Sequence, residues 1–185
     1  MTSDDTLSRS RLLRDRLDAC PPGQNGWREF EDAALETLCH LLVPPLTRPL
    51  IQPRSLSGID RRDAVFPNRI GDTSQAWGLL RMDHDARYVL VEFKNYERDE
   101  IGKEEIDQTR NYMNKSLGRL AIVVCNKSPH ESARRRRNIV YSEENKVILF
   151  LTTVHLHEML DMKDRGDDPT DLILDSIDEF LLQHE

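Results

Sequence analysis

The stretch RYVLVEFKNY, residues 87–96, decides how the rest of the chain is read. From Tyr88 to Phe93 it is nearly continuous in apolar residues, the pattern of a central strand covered on both faces. Glu92 and Lys94 break that pattern. Two residues apart on a strand, they project from the same face. Burying either charge alone would cost several kcal/mol, and even a pair barely offsets its own desolvation. A divalent cation together with a phosphate would satisfy both, the carboxylate binding the metal and the ammonium facing the anion.

Upstream, TRPLIQ (47–52) is β-prone, SLSG (55–58) reads as a turn, and IDRRDAVF (59–66) is a second strand candidate. Asp63 opens the apolar run of that segment. A neighbouring strand starting there would set its carboxylate beside Glu92. Two carboxylates with several retained waters are the usual provision for magnesium in phosphoryl chemistry, and Lys94 would then orient the attacking water. Asp60, three residues earlier, is an alternative ligand that would point the other way on a regular strand. Residues 67–86 carry turn residues and read as a loop or hairpin.

Downstream, residues 100–117 read as a helix with Ile101, Ile106, Tyr112, Met113 and Leu117 among its apolar positions. LAIVVCN (120–126) and VILFLT (147–152) are buried strands, and SARRRRNIVYSEEN (132–145) is a helix or a basic loop. HLHEMLDMK (155–163) and DLILDSIDEFLLQ (171–183) are helix candidates separated by RGDDP. Toward the N-terminus, LSRSRLLRDRLDA (7–19) is a short helix at the end of a polar tail, closed by the turn cluster PPGQNG (21–26). Trp27 to Val43 is helical: Trp27, Phe30, Ala34, Leu38, Leu41 and Leu42 share one arc, and Pro44 and Pro45 stop it. Glu31 falls inside that arc, whereas Glu29, Asp32 and Glu36 lie outside. A carboxylate on a core-facing stripe is expensive unless it meets a cation or donors; otherwise it is a boundary residue whose stem reaches outward. Strands alternating with helices predict an α/β domain around one mixed sheet.

The tripeptide Glu92-Phe-Lys94 alone is a weak signal, since a chain of this size shows ExK by chance about half the time. Its placement in a buried strand, after an Asp-led strand and before a helix and another strand, is far more specific. Here the sequence resembles the PD-(D/E)xK superfamily of restriction-endonuclease-like nucleases. The matching elements are WREFEDAAL (27–35), Asp63-Ala-Val-Phe66, Glu92-Phe-Lys94 and Gln108-Thr-Arg-Asn-Tyr112, the last similar to the QxxxY feature of the RecB-type branch. The resemblance spans residues 27–152, with 1–26 as an N-terminal tail and short helix and 153–185 as C-terminal helices packed on the same domain. It implies an αβββαβ core and metal-dependent cleavage of phosphodiester bonds. Asp63 and Glu92 would bind magnesium, with manganese able to substitute, and Lys94 would be catalytic. Glu31 would be the first-helix acid, and Gln108 would support the site or touch substrate. The chain has Arg62, not proline, before Asp63.

Composition narrows the partners. The 185 residues carry a net charge of −7 and a pI near 5.4, so no global basic field draws the chain to nucleic acid. Local basic patches remain: Arg61–Arg62 beside the proposed ligand, and the run Arg134, Arg135, Arg136 and Arg137. A charge run is usually a solvated face; beside a cleft it could clamp phosphates without reading sequence. Tyr96 and Tyr112 either stack on a base or pack at the core boundary, and His155 and His157 lack a third spaced ligand, so capping or surface roles suit them. Three widely spaced cysteines, Cys20, Cys39 and Cys125, form no CxxC pair, and the N-terminus has no apolar signal segment, so a reduced cytoplasmic setting without a membrane is expected. DNA is the expected substrate, in defence or repair, with a homodimer or a targeting protein as candidate partners. The rival from another class is a catalytically inactive nuclease scaffold that binds nucleic acid or a protein, and RNA cleavage is a third reading.

Overall fold

The computed structural model describes residues 3–53 and 62–184. Among them the element order is α1 (Ser3–Asp18), α2 (Trp27–Leu42), β1 (Leu50–Ile51), β2 (Ala64–Pro67), α3 (Ala76–Asp83), β3 (Tyr88–Lys94), α4 (Lys103–Tyr112), β4 (Leu120–Cys125), α5 (Glu131–Glu144), β5 (Val147–Thr152), α6 (Thr153–Arg165) and α7 (Thr170–Leu182). The five strands form one open mixed sheet in sequence order. β2 runs antiparallel to both its neighbours, β1 and β3, whereas β3, β4 and β5 are parallel and joined by helical crossovers. The expected α/β class with a mixed sheet is what the chain adopts.

The apolar alternation along the strands assigns the two faces of the sheet. Ala64, Phe66, Val89, Val91, Phe93, Ile122, Val124, Leu149 and Leu151 point into a core shared with α1, α2, α3, α6 and α7. Val65, Leu90, Ala121, Val123, Cys125, Ile148 and Phe150 point the other way, toward α4 and α5. With apolar residues on both sides, β4 is buried along its whole length, as a central parallel strand requires.

The N-terminal segment is more than a tail. Leu13 and Leu17 of α1 enter the first core. Arg14 of α1 pairs with Asp161 and Asp164 of α6, and Arg9 and Arg16 pair with Glu36 of α2.

Residues 67–86, expected to be a loop or hairpin, contain α3. Asp72 starts it: its Oδ1 accepts the Ser74 N–H at 3.0 Å and the Ser74 hydroxyl at 2.8 Å, a local turn of the kind short polar side chains build. Gly78 then lets the helix lie against that turn, since a Cβ there would sit 1.8 Å from the Asp72 carbonyl oxygen. α4 is shorter than the expected 100–117. Glu105 accepts the Gly102 N–H at 2.8 Å at its start. Beyond its end, Asn114 Oδ1 takes the N–H groups of Ser116 and Leu117 at 3.0 and 3.2 Å, competing with helix continuation. The basic stretch is a regular helix, α5.

Candidate active site

β2 and β3 bring the carboxylates together. Their register pairs Ala64 with Val91 and Val65 with Leu90, so one step further Asp63 stands opposite Glu92. Asp63 is no longer ladder strand, and its side chain replaces the ladder: Oδ2 accepts the Phe93 N–H at 2.9 Å, while its own N–H points at Glu92 Oε1 at 3.4 Å. On its other side, the Gln52 N–H donates to the Asp63 carbonyl at 2.8 Å, tying the residue to the end of β1. The aspartate is therefore fixed by backbone contacts to both flanking strands.

Glu92 is 2% exposed and shares the α4 face with Leu90 and Lys94. Lys94 Nζ lies 3.6 Å from Glu92 Oε2 and donates to Gln108 Oε1 at 3.3 Å; Gln108 Nε2 donates to the Tyr112 hydroxyl at 2.7 Å. Gln108 and Tyr112 sit one helical turn apart on α4, which is why they meet. Arg62 closes the chain of contacts. It is buried, donates to the Tyr112 carbonyl at 3.4 Å, and holds its guanidinium 5.6 Å above the Tyr112 ring. Sequence reasoning offered Arg62 as a nucleic-acid contact; the structure turns it inward as a brace for Tyr112. Tyr112 itself is 8% exposed, a packing residue rather than an open stacking platform.

The remaining sequence candidates separate. Glu31 is 9% exposed on α2 and accepts from Gln52 Nε2 at 3.4 Å, a contact that no sequence pattern signalled. Asp60 and Arg61 lie outside the described residues. Arg135 is held by Glu131 (Nε–Oε1 3.0 Å) and Arg136 by Asp107 (Nε–Oδ1 2.7 Å), which leaves Arg134 and Arg137 turned elsewhere. His155 caps α6 by accepting the Thr152 N–H at 2.9 Å, and the Tyr96 hydroxyl donates to Glu105 at 2.7 Å.

The electrostatics of the pair are unbalanced. Burial first, and then the neighbouring Asp63 carboxylate, push the Glu92 carboxyl up to about 7, against the opposing pull of Lys94 and the Asp63 N–H. The Lys94 ammonium thus offsets only part of what ionising Glu92 costs. Among the described residues no group of three or more His, Cys, Asp or Glu side chains converges as a metal cage, so the donor set is two carboxylates. That set fits a magnesium ion, which keeps several waters and takes one or two carboxylates. A cation there would counter both the burial and the Asp63 charge that raise the Glu92 carboxyl.

Because the folded protein holds the Glu92 proton more tightly than the unfolded chain, the contribution of this one group to the stability of the metal-free protein is full below the ordinary carboxylate range. That contribution is lost as pH rises from there through about 7. One proton per molecule sets the slope at up to about 1.4 kcal/mol per pH unit. Urea denaturation in EDTA from pH 4.5 to 8 measures it. Glu92→Gln should flatten the curve, and an unchanged curve would remove Glu92 as its source.

The chain matches no protein-family model, no curated protein and no solved structure.

Proposed function

We propose that the chain is a magnesium-dependent nuclease that hydrolyses phosphodiester bonds in DNA, with a restriction-endonuclease-like core over residues 27–152. The observation that carries this reading is the lock of Asp63 onto the Glu92 carboxylate and the Phe93 amide, which brings two carboxylates and the Lys94 ammonium together. The order α2, β1, β2, β3, α4, β4, interrupted by α3 between β2 and β3, with one acid just before β2 and the other in β3, supports the resemblance in the sequence.

A magnesium ion bound by Asp63 and Glu92 would supply Lewis-acid chemistry, acidifying water and stabilising charge on the phosphoryl oxygens. The chain's own residues do the rest. Asp63, with Oδ2 on the Phe93 amide, keeps Oδ1 without a hydrogen-bond partner among the described residues. Lys94 is positioned between Glu92 and Gln108, with a donor left for a phosphate oxygen or for the attacking water. Gln108 holds Lys94 in place and is itself held by Tyr112. Burial of Glu92 keeps the local dielectric low, so each of these charges acts more strongly than in water. With a net charge of −7, the chain relies on a second copy or a targeting protein to reach DNA.

Incubation of the purified chain with plasmid and with single-stranded DNA tests the reading. Cleavage is expected with magnesium or manganese, none with EDTA, and none from Lys94→Ala. Cleavage that is indifferent to EDTA and to Lys94→Ala would end the proposal. DNA binding without cleavage, and with no magnesium binding that depends on Asp63 and Glu92, would identify a binding scaffold instead.

A further inference from the structure

The four consecutive arginines of α5 do not act together. Arg135 and Arg136 are neutralised by Glu131 and Asp107, whereas Arg134 and Arg137 line a single cavity of about 350 Å³. Its walls come from three further places: the β4–α5 connection at Ser128, the end of β5 with the first turn of α6 at Thr152, and α7 at Ser176 and Glu179. We propose that this cavity is a binding site for a phosphomonoester group, separate from the Asp63–Glu92–Lys94 pocket.

Arg137 is the anchor. Its guanidinium sits 5.2 Å from the Phe150 ring centroid and 4.3 Å from that of Phe180, a stacked and partly desolvated position. Its Nε is buried and has no hydrogen-bond partner among the described residues. No carboxylate lies within ion-pair distance of Arg137 or Arg134 among those residues, although Glu179 lines the cavity. The Glu179 Oε1 is occupied by Gln183 Nε2 at 2.9 Å. Two guanidinium groups therefore line the cavity with no ion pair to a carboxylate among the described residues. Burial, and then the Arg134 charge, bring the Arg137 guanidinium down to about 10 against the weaker opposing pull of Glu179. The stacking leaves its planar fork of donors held in one orientation, the geometry that suits phosphate oxygens.

Two positive charges, Arg137 fixed by stacking and Arg134 at the rim, match a dianionic terminal phosphate better than a singly charged diester. The first turn of α6 adds the positive end of a 13-residue helix to the same cavity. The location gives the site a use. The sheet register aligns Lys94 with Cys125 and Cys125 with Thr152, so the cavity opens at the same carboxyl ends of the parallel strands as the proposed reaction centre. It lies two strands away, roughly 10 Å. A nucleic-acid strand crossing those ends could present its terminal phosphate to Arg134 and Arg137; a free nucleoside monophosphate carries the same group.

Calorimetric titration of the full chain, in EDTA to exclude turnover, is the test. The probes are inorganic phosphate, adenosine 5′-monophosphate, and one oligonucleotide with a 5′-phosphate or a 5′-hydroxyl. Saturable binding of the phosphorylated probes is expected, weakened at least tenfold by Arg134→Gln and by Arg137→Gln and unchanged by Arg135→Gln. Arg134 is exposed and unpaired, so its replacement leaves the packing between the phenylalanines intact and reads binding alone. A 5′-phosphate that strengthens oligonucleotide binding tenfold over the 5′-hydroxyl form assigns the site to strand ends. Equal oligonucleotides with tight binding of the mononucleotide assign it to a free nucleotide. No saturable binding of any phosphorylated probe, or equal losses from Arg134→Gln and Arg135→Gln, would overturn the site. Either result is independent of whether Lys94→Ala abolishes cleavage.

Discussion

Glu92→Gln is expected to lower magnesium-dependent DNA cleavage by ~10²–10³-fold or more, the scale for removing a group that stabilises developing charge. The same substitution should stabilise the metal-free protein at pH 8. The two effects have one origin. Glu92 is almost fully buried, faces Asp63 across the strand pair, and is only partly compensated by Lys94 at 3.6 Å. Ionising it costs the fold free energy that only a bound cation would return. Glutamine keeps the shape and the acceptor for the Asp63 N–H but carries no charge, so its replacement should raise stability in EDTA by on the order of 1–3 kcal/mol at pH 8. Thermal melts and cleavage assays on the same preparations check this. Loss of activity accompanied by loss of stability would make Glu92 a structural residue, and full activity would remove it from the site.

The second large effect lies in the fold. Trp77→Ala is expected to cost about 3–5 kcal/mol, the range for truncating a large buried aromatic. Trp77 is 1% exposed, and its indole N–H donates to the Thr170 hydroxyl at 3.0 Å, joining α3 to the start of α7. Alanine would open a cavity and leave the buried Thr170 hydroxyl without its donor, so two penalties add. Trp77→Phe separates them: it retains most of the volume and should lose only the hydrogen bond, about 1–2 kcal/mol. Urea denaturation of the three proteins measures both steps. A loss under 1 kcal/mol for the alanine variant would mean that α3 does not couple to α7.

That helix also marks where the sequence stopped being legible. The strands β3, β4 and β5 were readable because runs of four to six consecutive apolar residues have few other uses in a chain this polar. α3 has eight residues, holds a glycine, and follows a stretch rich in Gly, Asp, Ser and Pro, so its local signals favour a loop. Burial of Trp77 against Thr170, a residue distant in the chain, and the close approach of Gly78 to the Asp72 turn favour the helix instead. The same contrast holds at the site. The proximity of Asp63, Glu92 and Lys94 was legible because strand alternation fixes which side chains share a face, whereas Gln108 was singled out by the resemblance alone. The inward turn of Arg62 onto Tyr112 and the contact between Gln52 and Glu31 were not legible, since each depends on how a loop folds back on a helix. The arginine run shows the limit most clearly: Arg135 meets Glu131 at the local i,i+4 spacing, but the partner of Arg136 on α4 and the cavity that Arg134 and Arg137 share with α7 come from parts of the chain that no local pattern reveals.

Anomalous diffraction from crystals soaked in manganese tests the central claim most directly. A single ion is predicted between Asp63 and Glu92, in direct coordination to a carboxylate oxygen of each, with Lys94 close by but not a ligand, and it should vanish in Glu92→Gln. Manganese bound at other acids, or a pocket that stays empty at saturating manganese, would contradict it.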